Sequence, residues 1–78
     1  MKAIQIKVLP ATNTKGTRLK AWTEAGSVVK SRNYAYNLDD QAHLLAKAYL
    51  VDKNWHGLVV RGFGQLPNGD YVATIGAV

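Results

Sequence analysis

Cysteine is absent from this chain of 78 residues. Without thiols, neither disulfide bonds nor thiolate-metal sites can stabilise the fold, which must rest on packing. Aromatic residues are also few, with one phenylalanine, two tryptophans and four tyrosines. A domain of this size buries only a little over ~60% of its unfolded surface. We therefore expect a single domain over residues 1–78, with a small core that self-association could extend.

Long apolar runs are missing as well. No stretch approaches the ~20 residues that a membrane-spanning helix needs. The first seven residues alternate between polar and apolar types, unlike the continuous apolar block of a secretory signal. The sequence therefore predicts a soluble, cytoplasmic protein without a membrane partner.

Acidic residues are scarce and unevenly placed. The chain has five of them against ten lysines and arginines, and its net charge is +5. Residues 1–37 hold seven cations against Glu24 alone, whereas residues 38–78 hold three cations against four aspartates. This asymmetry predicts a positive field over one part of the surface, for which a polyanion is the obvious partner.

Alternating apolar residues predict five strands. Pro10 cannot donate a ladder hydrogen bond and is expected to end the first strand. A bulge is expected at Gly62-Phe63-Gly64, since paired glycines interrupt the fourth strand. The predicted strands cover residues 2–9, 17–24, 28–32, 58–61 and 71–75, with turns at residues 12–16, 25–27 and 66–70.

One helix is predicted between the third and fourth strands. Asn37 is a suitable N-cap, and Asp39 and Asp40 suit the positive end of the helix dipole. An apolar stripe runs along the following residues, and the helix is expected to end near Asp52, with Asn54 as a C-terminal cap. The element order β-β-β-α-β-β predicts an α+β fold, an antiparallel sheet of about five strands with the helix packed on one face.

A basic-aromatic surface is the main functional candidate. A single helix covers one sheet face, so the other face is free to meet phosphates, and Trp22 or Tyr34 could stack on a base or on a guanidinium. Placing Lys30 and Arg32 on that face requires Val29 to point inward, a position for which Val28 competes. The alternatives are an ordinary solvated face or a protein partner. The candidate binding residues are Lys7, Arg18, Lys20, Trp22, Lys30 and Arg32.

Other chemistries are weakly supported. Phosphate binding by the loop at residues 13–17 is disfavoured, because the loop lacks the P-loop spacing and is not followed by a helix. Gly62-Phe63-Gly64 matches only half of a dinucleotide-binding fingerprint. His43 and His56 are the only histidines, and we interpret them as a solvated helix residue and a loop residue. We find no catalytic constellation and expect no enzymatic activity, no cofactor and no metal.

The surface aromatics and the sheet edges leave a protein interface open. If two or more of these aromatics are exposed together, a protein interface is favoured. An open sheet of five strands has two edges, so a homodimer through an edge strand is also conceivable. The aromatics concerned are Trp22, Tyr34, Tyr36 and Trp55.

A resemblance narrows the biological setting. The segment MKAIQ-x-K-x-LPATNTKG-x-R-x-KA over residues 1–21 resembles the start of small phage and mobile-element proteins with no assigned activity. The Trp-x-Gly at residues 55–57 and the Leu-Pro-x-Gly at residues 66–69 also match features that recur in that family. The approach to the helix at residues 34–37 departs from the family pattern.

The resemblance implies a stoichiometric accessory protein, with anti-CRISPR and counter-defence inhibitors as examples of this size. Such a protein would bind a host or defence-system protein or nucleoprotein complex without catalysis. The basic charge disfavours DNA mimicry and favours contact with DNA, RNA or an acidic protein patch. Two alternatives stay open, a small nucleic-acid-binding module that uses its sheet face, and a structural homo-oligomer.

Overall fold

The computed structural model describes residues 2–78 and confirms the α+β fold and its element order. β1, which precedes Pro10, ends at Leu9 as expected. The second strand is one residue shorter than predicted at each end, whereas the third, fourth and fifth strands are longer than predicted, because ladder pairing continues beyond the apolar residues that signal each strand. The elements are β1 (Lys2–Leu9), β2 (Arg18–Thr23), β3 (Gly26–Ser31), α1 (Leu38–Asp52), β4 (Leu58–Gln65) and β5 (Tyr71–Ala77).

The five strands form one antiparallel sheet in the order β3-β2-β1-β5-β4. β1 is the central strand, and β3 and β4 are the two edges. Since α1 connects these edges, the helix must cross one face of the sheet to carry the chain between them. The opposite face carries no helix, and we call it the open face.

The core lies between α1 and the sheet. Alternate residues of β1, β2 and β5 point toward the helix, and the helix returns one apolar face to them. Leu38, Trp55 and Phe63 are partly buried against this cluster. The buried members are Ile4, Ile6, Leu19, Ala21, Ala42, Leu45, Ala46, Tyr49, Leu50, Tyr71, Ala73 and Ile75.

The helix is tied to the sheet at both ends. Near its C-terminus the fully buried Tyr49 donates its hydroxyl to the Gly26 carbonyl at 2.7 Å and lies 2.8 Å from the Thr23 hydroxyl. Near its N-terminus Asp39 accepts a 2.6 Å hydrogen bond from the Tyr71 hydroxyl. These polar contacts fix the position of α1 across the sheet beyond what apolar packing requires.

The helix begins and ends close to the predicted positions. Asn37 occupies the N-cap position, although its side chain makes no capping bond and its carbonyl accepts the Gln41 N–H at 3.0 Å. Lys53 is the C-cap, and Asn54 follows with a φ of 57°, the left-handed conformation expected of a terminating asparagine.

The bulge in β4 lies at Arg61, between the paired residues Val60 and Gly62. This is one residue before the predicted site, and β4 continues through both glycines instead of stopping there. Gly62 is needed because a Cβ atom at this position would lie 2.8 Å from the Thr74 hydroxyl.

Over residues 2–78, no helix has the length and apolarity that crossing a bilayer requires.

Candidate nucleic-acid interface

The open face brings together the predicted cations of β1 and β2. Residues directly opposite each other in an antiparallel pair lie on the same face. Lys7 is paired with Lys20, and Arg18 with Leu9. Trp22, paired with Gln5, lies on the same face. Four of the six predicted site residues therefore share one surface.

Lys7 and Lys20 form an unfavourable pair in the isolated sheet. Like charges at directly opposite positions destabilise an antiparallel pair. Lys20 gains a partial compensation from Trp22, whose ring centroid lies 5.7 Å from its Nζ. An anion placed between the two ammonium groups would turn this repulsion into attraction.

Acidic residues are absent from every strand. The five carboxylates of the chain lie in the helix or in turns. Across residues 2–78 the ion pair found is Lys53–Asp52, at 3.7 Å, at the end of the helix. Within the described residues, none of the open-face cations therefore has a carboxylate at ion-pair distance.

Arg61 adds a fourth cation to the open face. Its side chain lies over Gly76, where a Cβ atom would be 3.3 Å from Arg61 Cγ. Its Nη2 donates to the Ala77 carbonyl. The face on which Arg61 lies could not be predicted from strand alternation, because the bulge at this residue shifts which residues of β4 point to each face.

Lys30 lies on the other side of the sheet, so its predicted position beside Lys20 is wrong. It is paired with Leu19, a core residue that points toward α1. Val28 takes the inward position opposite Ala21, and the half-exposed Val29 lies opposite Lys20 on the open face. Of the two valines, Val28 is therefore the one that points toward α1, a choice that the sequence left open.

Arg32 lies at the corner between β3 and α1 and is also not on the open face. Its Nη1 donates to Gln41 Oε1 at 2.8 Å and to the carbonyls of Tyr36, at 3.1 Å, and Asn33. Its guanidinium carbon is 4.8 Å from the ring centroid of Tyr34. Arg32 therefore organises the β3–α1 connection and keeps a charge that no carboxylate neutralises.

A basic notch opens at the end of the sheet, next to the open face. Arg18 borders both surfaces, and its Nε donates to the Gly16 carbonyl at 3.3 Å. The notch has a volume of about 640 Å³ and is lined by three cations, three hydroxyl groups and no carboxylate. The sequence did not single out Lys15 as a site residue, since the loop alone gave no sign that it folds toward Arg32. The notch residues are Lys15, Gly16, Thr17, Arg18, Val29, Ser31, Arg32 and Tyr34.

The aromatic residues divide into exposed and packed groups. Tyr34 is 77% exposed at the notch, and Tyr36 is 47% exposed nearby. Trp22 is half-buried beside Lys20, and Trp55 packs edge-on against Tyr49 with ring centroids 5.8 Å apart. Tyr34 and Trp22 are therefore the aromatic groups that could stack on a base next to the cations.

The histidines are not arranged for metal binding. His43 is half-buried and stacks on Phe63 at 5.0 Å, so it is only partly the solvated residue that we expected. Phe63 in turn stacks on Tyr71 at 5.5 Å. His56 is exposed in the segment before β4. Within residues 2–78 no group of three or more histidine or acidic side chains could hold a metal ion.

Tyr71 has the one displaced pKa among the described groups. The hydrogen bond to Asp39, together with burial and the negative charge of that carboxylate, raises the pKa of Tyr71 to about 12, while Arg32 lowers it slightly. This residue holds α1 against β5 and faces away from the open face. Its role is structural.

No family model, curated protein or solved structure matches this chain. The resemblance to phage and mobile-element proteins therefore stays a prediction. The open face and the basic notch are the features of the molecule that indicate a function.

Proposed function

We propose that this chain is a non-enzymatic accessory protein that binds the sugar-phosphate backbone of nucleic acid through its open face. The observation that carries the proposal is the direct opposition of Lys7 and Lys20 on adjacent strands. Such a pair costs stability in the free protein, and a bound phosphate relieves that cost.

Three further features support a nucleic-acid ligand over a small anion. Arg18 lies on the same face two residues from Lys20, so that several phosphates of one strand can be contacted, and Arg61 adds a separate cation toward the β4 edge. Trp22 lies among them, and Tyr34 stands exposed at the notch. Alternating cations and aromatic rings suit a flexible single strand, whose bases are free to stack.

The biological setting is proposed from the resemblance. A phage or mobile-element protein of this size would act in the cytoplasm, against the nucleoprotein machinery of its host. The nucleic acid contacted by the open face would then be a guide RNA or a target strand held within that machinery.

Binding of fluorescently labelled single-stranded DNA and RNA, followed by anisotropy, tests the proposal. Each phosphate contact on a single strand contributes about 0.7 to the salt slope, so three or four contacts predict a loss of affinity of about 20- to 50-fold between 50 and 200 mM salt. Lys20→Glu together with Arg18→Glu should reduce the affinity by at least about tenfold.

The matched control compares Lys20→Glu with Lys47→Glu. Both substitutions reverse one charge, but Lys47 is exposed on α1, away from the open face. Lys20→Glu should weaken binding and Lys47→Glu should leave it nearly unchanged. Equal losses in the two variants, or affinity that does not respond to salt, would contradict the proposed site.

A further inference from the structure

The two edges of the sheet differ in how they are protected. β4 carries the bulge at Arg61, which interrupts regular pairing along that edge. β3 is a regular strand of six residues without proline or bulge, five of its six residues are exposed, and Lys30 is its single charged residue. Edges of this kind are templates for pairing with another chain.

The hydrogen-bonding groups of β3 are divided between β2 and the edge. The Arg32 N–H donates to the Thr17 carbonyl at 2.9 Å, which makes this a hydrogen-bonded pair. Because such pairs alternate along an antiparallel ladder, Ser27, Val29 and Ser31 direct their N–H and C=O groups away from β2. The carbonyl of Ser31 is already used, since it accepts from Gln41 Nε2 at 2.8 Å.

An exposed apolar stripe on α1 follows this edge. Leu44, Ala48 and Val51 are spaced by four and three residues and therefore lie on one side of the helix. Leu44 is 45% exposed and Val51 is 69% exposed. Leu44 and Ala48 line the groove between α1 and β3 together with Lys30. The small Ala48 at the centre of the stripe would allow a second helix to approach closely.

We propose that two copies of this chain associate through β3, forming a two-fold symmetric dimer with a continuous sheet and with the apolar stripes of α1 in contact. Pairing Val28 with Val28 of the second copy sets Ser27 opposite Val29 on both sides of the axis. Ser27 of one copy and Val29 of the other then exchange all of their outward N–H and C=O hydrogen bonds. The Ser31 carbonyl, which already accepts from Gln41, is not needed for this pairing.

Charge complementarity supports this register. Tyr49 bonds to Gly26, so the C-terminal end of α1 lies over the start of β3. Asp52 lines the groove there with Val28 and Lys30. In the proposed register Lys30 of one copy faces Gly26 of the other, which brings its ammonium group toward the second copy's Asp52. A second copy thus supplies the hydrogen bonds that the edge lacks, and it adds a second carboxylate near Lys30 to the Asp52 of its own copy, which pairs with Lys53.

Light scattering and sedimentation equilibrium of the full chain test the dimer. The mass should rise with concentration from 8.5 kDa toward twice that value. Because each copy carries a net charge of +5, added salt should strengthen this association. Salt weakens nucleic-acid binding, so the two proposals respond in opposite directions and can fail separately. A mass of 8.5 kDa up to about 1 mM protein would overturn the dimer.

Two variants locate the interface. Val29→Pro removes an outward N–H without breaking a bond to β2 and should abolish dimerisation. Val51→Glu alters an exposed helix residue, which the monomer tolerates, and should do the same because it places a charged side chain in the apolar contact between the two helices. Val59→Glu makes the equivalent change on the opposite edge and should leave the dimer intact. A dimer that survives Val51→Glu, or that is lost equally in Val59→Glu, would overturn the proposed interface.

Discussion

Tyr71 connects β5 to α1 through the hydrogen bond that its hydroxyl makes with Asp39. Its hydroxyl donates to Asp39, and its pKa is raised to about 12 from the ordinary value of 10.0. The folded state therefore holds this proton more tightly than the unfolded state does. The resulting stabilisation is fully present below pH 10 and is lost as the pH rises through about 12.

We therefore expect Tyr71→Phe to be destabilising at neutral pH and progressively less so in alkali. Removing the hydrogen bond to a charged acceptor should cost about 1–2 kcal/mol in the free energy of unfolding. Urea titrations of both proteins on either side of pH 10 measure the difference. Tyr34→Phe, at a 77% exposed position, is the control and should change little. A gap between Tyr71→Phe and the wild type that stays constant up to pH 12 would contradict this role.

The positions of individual residues on the open face could be predicted where alternation is unambiguous. Lys7, Arg18, Lys20 and Trp22 follow from the inward-facing isoleucines and leucine between them. Lys30 could not be placed, because Val28 and Val29 are equally apolar and only pairing with Ala21 and Lys20 distinguishes them.

Gln41 holds the β3–α1 connection together. It is buried, and its side chain donates to the Ser31 carbonyl and accepts from the Asn33 N–H at 2.9 Å and from Arg32. One side-chain amide thus forms hydrogen bonds with the last residue of β3, with the loop that follows it and with the Arg32 guanidinium. From the sequence, Gln41 is only a polar residue within an apolar helix, and nothing there indicates which groups its side chain contacts.

Gln41→Leu should lower the free energy of unfolding by about 1–3 kcal/mol, because the Ser31 carbonyl, the Asn33 N–H and the Arg32 guanidinium lose their partner while the size of the side chain is kept. Gln5→Leu, at an exposed position of the open face, should change it by no more than about 0.5 kcal/mol. Urea unfolding monitored by circular dichroism gives both values. An equal effect of the two substitutions would show that Gln41 is not the organising contact.

At the level of elements, the order and type of all six could be predicted from periodicity and turn residues. The bulge position could not, because it depends on which residue of β4 loses its partner on β5. That single shift moves Arg61 to the open face and leaves β3 as the regular edge.

The whole molecule separates charge by face. Its strands contain no carboxylate, its helix and turns contain all five, and a small anion-free notch extends the basic surface at one end. Composition predicted an uneven field, but assigned it to the N-terminal half of the chain. In the folded chain the open face carries cations without carboxylates, with Arg61 joining from the C-terminal half, whereas the helix side carries cations and carboxylates together.

A nuclear magnetic resonance titration of the ¹⁵N-labelled chain with a single-stranded oligonucleotide tests the proposed face most directly. The predicted result is that the amides of Lys7, Arg18 and Lys20 and the indole N–H of Trp22 shift together and saturably, while the amides on the solvent side of α1 do not. Shifts confined to α1, or no saturable shift at low salt, would contradict a nucleic-acid interface on the open face.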